Sequence, residues 1–158
     1  MTNVYLSFII GNELFAVNVT KVLEVLQMQH ITHLPKAPDY IKGIINFRGD
    51  VLPVFESRVK FALPNREQDA AYVVIVLDLT VNGESLCIGA IVDRVKDVIT
   101  IDDKDIKPVP VMSKEFNTNF LQGIYKQNEE FIMLLDVEKV FSSEELEALK
   151  DVNALENA

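Results

Sequence analysis

The chain has 158 residues, of which 49% are hydrophobic and 25% are charged, a composition typical of a globular protein and not of a disordered one. Its net charge of −9 disfavours nucleic-acid partners, because proteins neutralise phosphates with Lys and Arg. The single cysteine, Cys87, cannot form an internal disulfide bond, and no apolar stretch has the ~18 residues that a membrane span needs. The N-terminus lacks the pattern of a signal peptide. We therefore expect a cytoplasmic protein whose partners are proteins.

Alternating apolar residues predict that most of the chain forms short β-strands. The predicted strands are residues 4–10, 14–17, 22–26, 44–47, 51–55, 71–79, 85–92, 95–101, 121–126 and 131–137. Turns at Gly11-Asn12, Arg48-Gly49-Asp50 and Asn82-Gly83 join several of them into hairpins. Residues 109–119 are predicted to form a long loop.

The stretch after Asn18 has two possible structures. Asn18 is suited to cap a single helical turn through residues 19–21. Residues 22–26 are rich in β-branched side chains and are predicted as a strand. A helix remains an alternative, because Val19 and Val22 would share one helical face with the leucines that follow.

Two further segments have local signals. The polar stretch at residues 63–69 is a candidate linker. Ser142 and Glu145 have the spacing of a capping box, which predicts a helix that packs through Leu146 and Leu149.

The two halves of the chain repeat each other. Residues 22–26 and 95–99 share the order apolar, any, acidic, apolar, apolar, and residues 41–44 match residues 121–124 around a glycine. Many short strands with regular turns indicate small barrels, and the repeat indicates two of them. We therefore expect an all-β fold with one barrel in residues 1–66, a second in residues 67–141 and a helix and tail in residues 142–158. Chance similarity between apolar strands is the alternative.

No catalytic or metal-binding pattern stands out. The glycines are scattered singly, so a phosphate-binding loop is not expected. His30 and His33 fall short of the four ligands of a structural zinc site. Cys87 lies between Leu86 and Ile88 and is expected to be a buried, unreactive thiol. We expect a protein without enzymatic activity, bound metal or cofactor.

Glu24 and Arg48 are charged residues within apolar strand sequences. Both belong to the first predicted barrel, so they can be neighbours. They are either ordinary solvent-facing residues or a pair of charges at a binding face.

At these residues the chain resembles the CheW family of chemotaxis adaptors. The resemblance runs from Tyr5 to about Leu149. Each matching stretch is weak alone, but their order and spacing together are specific. The matching stretches are residues 8–13, 22–25, 31–35, 41–49, 51–54, 89–93 and 134–139.

The resemblance implies two tandem SH3-like five-stranded barrels around a shared apolar core. It also implies a scaffold that couples the cytoplasmic tips of chemoreceptors to the regulatory domain of the histidine kinase CheA. Such a protein is a monomer that joins membrane-associated arrays without inserting into the membrane. An adaptor of another kinase pathway, such as surface motility, is an alternative. A small-barrel nucleic-acid binder is a weaker one, because it would need a basic groove and stacking aromatic residues.

The resemblance also implies positions for receptor and kinase binding. These are Val22, Glu24, Gly43, Asn46, Arg48, Gly49, Gly89, Val92 and Asp93. The three glycines can equally serve backbone geometry, and the two valines can equally serve core packing.

Two departures from the family pattern affect the surface after the second hairpin. Phe47 stands where the family usually has Leu, and residues 56–58, Glu-Ser-Arg, stand where Asp-Leu-Arg is common. They bear on which receptor or kinase fits.

Overall fold

Strands make up most of the structure, a computed structural model that describes residues 1–67, 70–110 and 119–155. The strands are β1 (Thr2–Ile10), β2 (Glu13–Asn18), β3 (Val22–Leu26), β4 (Ile41–Phe47), β5 (Asp50–Glu56), β6 (Val73–Val81), β7 (Glu84–Val92), β8 (Arg94–Asp102), β9 (Leu121–Gln127) and β10 (Glu130–Leu135). The helices are α1 (Ser57–Lys60) and α2 (Ser143–Asn153). Most of the predicted loop at residues 109–119 lies outside the described residues.

Each predicted strand has a counterpart, with ends shifted by a few residues. Residues 22–26 form a strand, so the helical alternative is wrong. The turn before them is a 3-10 helix, and the side chain of Asn18 accepts a hydrogen bond from the Thr20 N–H at 2.9 Å. The capping box at Ser142 and Glu145 is also present, and it begins α2. The short helix α1 was not predicted.

The strands form two sheets. Sheet A has the order β8-β1-β2-β10-β9, and sheet B has the order β3-β6-β7-β5-β4. The prediction of an all-β fold with two five-stranded barrels and a short C-terminal helix is confirmed.

The predicted boundary between residues 66 and 67 does not separate these sheets. Sheet B consists of one continuous segment, residues 22–92, whereas sheet A is assembled from residues 2–18 and 94–135. The barrel of sheet B is therefore inserted into the barrel of sheet A. A sequence repeat identifies equivalent strands, but it does not determine which copy of a hairpin pairs with which strand.

The repeat corresponds to equivalent positions in the two sheets. The repeated acid-centred strands are β3 and β8, which both lie at sheet edges, and Gly43 and Gly123 lie on the opposite edges, in β4 and β9. At both glycines a neighbouring segment passes close by. A Cβ atom at Gly43 would lie 2.2 Å from the Thr32 carbonyl oxygen, and one at Gly123 would lie 2.8 Å from that of Lys107. The repeated glycines are therefore required by close backbone packing.

The buried apolar side chains of the described residues form three cores. One lies within each barrel, and the largest contains residues of both sheets. This shared core includes Phe8 and Val17 from sheet A, Ile75 and Ala90 from sheet B, and Leu149 from α2. The shared core that the family resemblance implies is thus present.

Candidate functional site

Glu24 and Arg48 form an ion pair on the surface of sheet B. The Arg48 Nη2 atom lies 3.1 Å from Glu24 Oε2. Glu24 lies on β3 and Arg48 follows β4, at opposite edges of the sheet, so the contact joins the two edges as expected in a closed barrel. The side chains are 39% and 67% exposed, and such a pair contributes only about 0.2–1 kcal/mol to stability. Both charges are therefore accessible to a partner.

The turn that carries Arg48 has a well-defined geometry. Arg48 and Gly49 have φ angles of 53° and 87°, as in the two-residue turns that match the twist of a hairpin. The Asn46 side chain accepts a hydrogen bond from the Gly49 N–H at 3.1 Å. The guanidinium of Arg48 lies 4.8 Å from the centre of the Phe47 ring, a cation–π distance. Phe47, which stands where the family usually has Leu, therefore provides an aromatic surface on which Arg48 packs.

Four of the predicted binding residues contribute mainly to packing. Val92 is completely buried in the shared core, and Val22 is half-buried against it. A Cβ atom at Gly89 would lie 2.8 Å from a methyl group of Val74, and Gly43 is crowded by a neighbouring backbone. These positions support the alternatives of core packing and backbone geometry.

Asp93 lies where the chain crosses from sheet B to sheet A, and its carboxylate is fully engaged within the protein. One oxygen accepts hydrogen bonds from the Gly11 N–H at 2.8 Å and from Arg58 at 2.6 Å. The other accepts from Arg66 Nη1 at 2.6 Å. Gly11 belongs to the β1–β2 turn, whereas both arginines follow β5. Asp93 thus connects the two barrels, and its assignment as a binding residue remains a prediction.

Arg66, in the predicted linker, is part of this cluster. Arg66 also forms an ion pair with Glu56 at 3.1 Å, and the two side chains are only 10% and 13% exposed. Residues 56–58, which differ from the common Asp-Leu-Arg of the family, therefore belong to the cluster, because Glu56 pairs with Arg66 and Arg58 pairs with Asp93. Ser57, between them, is buried. The polar composition of residues 63–69 gave no signal that the side chain of Arg66 is mostly shielded from solvent.

Two carboxyl groups have lowered pKa values. Burial alone would raise the pKa of Asp93, but hydrogen bonds from Arg58, the Gly11 N–H and Arg66 hold it below its usual range. Burial would likewise raise the pKa of Glu145, but hydrogen bonds from Lys60 and other donors lower it to about 2. Both groups are therefore more stable as carboxylates in the folded state than in the unfolded chain.

We expect the protein to lose stability below about pH 4. A carboxyl with a lowered folded pKa contributes its full stabilisation above the unfolded pKa, about 3.9 for Asp and 4.3 for Glu, and loses it as the pH falls towards the folded pKa. Urea unfolding between pH 7 and pH 2.5 would measure this loss. In the double variant Asp93→Asn, Glu145→Gln, the free energy of unfolding should fall less between pH 7 and pH 2.5 than in the wild type. If the double variant lost as much stability at low pH as the wild type, Asp93 and Glu145 would not be the groups responsible.

The described residues contain no group of three or more His, Cys, Asp or Glu that could hold a metal ion. Cys87 is half-buried, and burial raises the pKa of its thiol. Within the described ranges no helix is long and apolar enough to cross a membrane.

The chain is similar to known proteins along almost its whole length. Residues 4–145 match the family model described as the CheW-like domain. The chain is 35% identical to the chemotaxis protein CheW of Klebsiella aerogenes over 148 residues, which cover 94% of this chain and 87% of that protein. It is 34% identical to the chemotaxis protein CheW of Rhizobium meliloti, with 90% of each chain covered.

A solved structure is also similar. The crystal structure of the scaffolding protein TtCheW from Thermoanaerobacter tengcongensis matches with a TM-score of 0.77 and 30% identity, and the match covers 90% of this chain and 94% of that one. The chain belongs to the CheW-like family.

Proposed function

We propose that this protein is a non-enzymatic scaffold of chemotaxis that couples chemoreceptors to the regulatory domain of the histidine kinase CheA. Relatives named as chemotaxis proteins and a solved structure named as a scaffolding protein support this role. We further propose that it acts in the cytoplasm and joins membrane-associated receptor arrays as a monomer.

The observation that carries the proposal is the exposed Glu24–Arg48 pair. A surface ion pair contributes little to the stability of the fold. Stability therefore does not explain why Arg48 packs on the buried Phe47 ring next to Glu24. When a partner covers such a pair, water is removed and each charge must be matched. Arginine is also enriched among the residues that contribute most to binding. We propose that Glu24, Arg48 and the turn residues Asn46 and Gly49 contact the receptor or kinase.

Replacing Arg48 with alanine tests this binding face. We expect Arg48→Ala to leave the melting temperature nearly unchanged, because the side chain is 67% exposed. It should weaken assembly with CheA and receptors at least about tenfold, which corresponds to about 1.4 kcal/mol. Assembly can be measured by co-sedimentation with membranes that carry the cognate receptors, in the presence of purified CheA.

The matched control is Arg94→Ala, which removes an exposed arginine from the other sheet and should bind normally. The exchange Glu24→Arg with Arg48→Glu should restore part of the binding if the two charges mainly contact each other, and none if each contacts a partner. Wild-type assembly by folded Arg48→Ala would overturn the proposed face.

A further inference from the structure

The side chain of Asn153, at the end of α2, hydrogen-bonds to two strands of sheet B. Its Oδ1 accepts from the Cys87 N–H at 2.8 Å, and its Nδ2 donates to the Cys87 carbonyl at 2.9 Å. The same Nδ2 donates to the carbonyl of Val51 at 3.0 Å. Cys87 belongs to β7 and Val51 to β5, which are parallel neighbours. One amide side chain therefore joins these strands where their own pairing is absent.

The equivalent strands of sheet A show what Asn153 replaces. Val54 and Leu134 are equivalent, because they pair with the repeated glycines Gly43 and Gly123. The pairing of β5 with β7 begins at Val54, whereas the pairing of β10 with β2 begins at Ile132, two positions before Leu134. The residue before Val54 is Pro53, which has no N–H to donate to a ladder. Asn153 supplies hydrogen bonds to the backbone groups that remain next to this interruption.

This contact lies at the base of the Arg48 hairpin. Val51 is the second residue after the turn and is paired with Asn46, whose side chain stabilises the turn. The hydrogen bond from Asn153 to Val51 therefore fixes the hairpin to β7. A second contact of α2, the exposed ion pair between Lys150 and Glu84 at 2.7 Å, lies at the start of β7.

We propose that Asn153 is a positioning residue that holds the Arg48 hairpin in the orientation required for partner binding. The inference rests on the proposed function for its binding consequence, but its structural part is independent of any partner. A polar residue near the end of the chain thus controls a site formed by residues 24 and 46–49.

The test is Asn153→Leu, which keeps a side chain of similar size and removes all three hydrogen bonds. Amide hydrogen exchange by NMR, without any partner, should show at least about tenfold faster exchange of the Cys87 N–H. Assembly with receptor-bearing membranes and purified CheA, measured by the same co-sedimentation, should weaken about three- to tenfold relative to wild type.

Ile132→Val is the control for a general loss of stability. It shortens a buried side chain of sheet A and leaves the Arg48 hairpin intact. This variant should melt at a lower temperature but bind normally. Arg48→Ala in the same assay separates the two proposals. If it binds like wild type, the proposed face is wrong. If it loses binding while Asn153→Leu binds like Ile132→Val, the face stands and the positioning role of Asn153 is overturned. Unchanged exchange at Cys87 overturns it as well.

Discussion

Truncation after Val140 is expected to lower the free energy of unfolding by about 3–6 kcal/mol. It removes two buried side chains, Phe141 and Leu149, each worth roughly 1.5–3 kcal/mol of apolar burial. The Phe141 and Phe55 rings pack edge to face, with ring centres 5.0 Å apart, so the loss opens the shared core. Since whole domains are stable by only about 5–15 kcal/mol, the truncated chain should be close to unfolding at 37 °C. Urea unfolding followed by circular dichroism measures the change.

The control for this truncation is a chain that ends at Leu155, which keeps all of α2. It should unfold like the full chain. If the chain that ends at Val140 also melted at the wild-type temperature, α2 would be a dispensable tail.

Asp93→Ala is expected to destabilise the protein by about 2–3 kcal/mol. Removing one partner of a buried ion pair typically costs about 3–5 kcal/mol. The cost is lower here because Arg66 keeps Glu56 as a partner and Arg58 keeps the carbonyl of Pro64. The substitution also frees the Gly11 N–H and so loosens one contact between the barrels. Urea unfolding would give the difference, and the same samples can be tested for binding to CheA.

The matched control is Asp97→Ala, an aspartate with an exposed side chain on β8, which should change stability by less than about 0.5 kcal/mol. The two possible roles of Asp93 predict different results. If Asp93 connects the barrels, the variant loses stability and the folded fraction binds normally. A variant of normal stability that fails to bind CheA would instead make Asp93 a contact residue.

Features of the fold that depend on neighbouring residues were predictable from the sequence. Alternation located the strands, the Asn82-Gly83 turn marked a hairpin, and the capping box at Ser142 marked the start of α2. The pairing of strands from different halves was not predictable, because β1–β2 and β6–β7 are similar hairpins and either could complete either sheet. The choice depends on how the chain crosses between barrels, which no local pattern encodes.

The same distinction applies to the candidate site. Glu24 and Arg48 stood out because charges interrupt apolar strands, and they were expected together because both lie in one barrel. Arg66 and Asn153 carried no such signal. The role of each arises from a partner distant in sequence, Asp93 for Arg66 and Cys87 for Asn153. Residue type and spacing therefore identified the exposed pair but not the partly buried polar contacts of Arg66 and Asn153.

The insertion of one barrel into the other has a consequence for folding during synthesis. The hairpin β1–β2 leaves the ribosome first, yet its sheet is complete only when β10 has been made. Sheet B ends at Val92, so all its strands are available much earlier. Until the last strands arrive, Tyr5 and Leu14 lack Ile101 and Ile132, which share the core of sheet A with them. Unpaired strand edges are prone to aggregation in the meantime. Sheet B can form first, and its apolar surface is then available to the β1–β2 hairpin. In the folded protein this contact is the shared core.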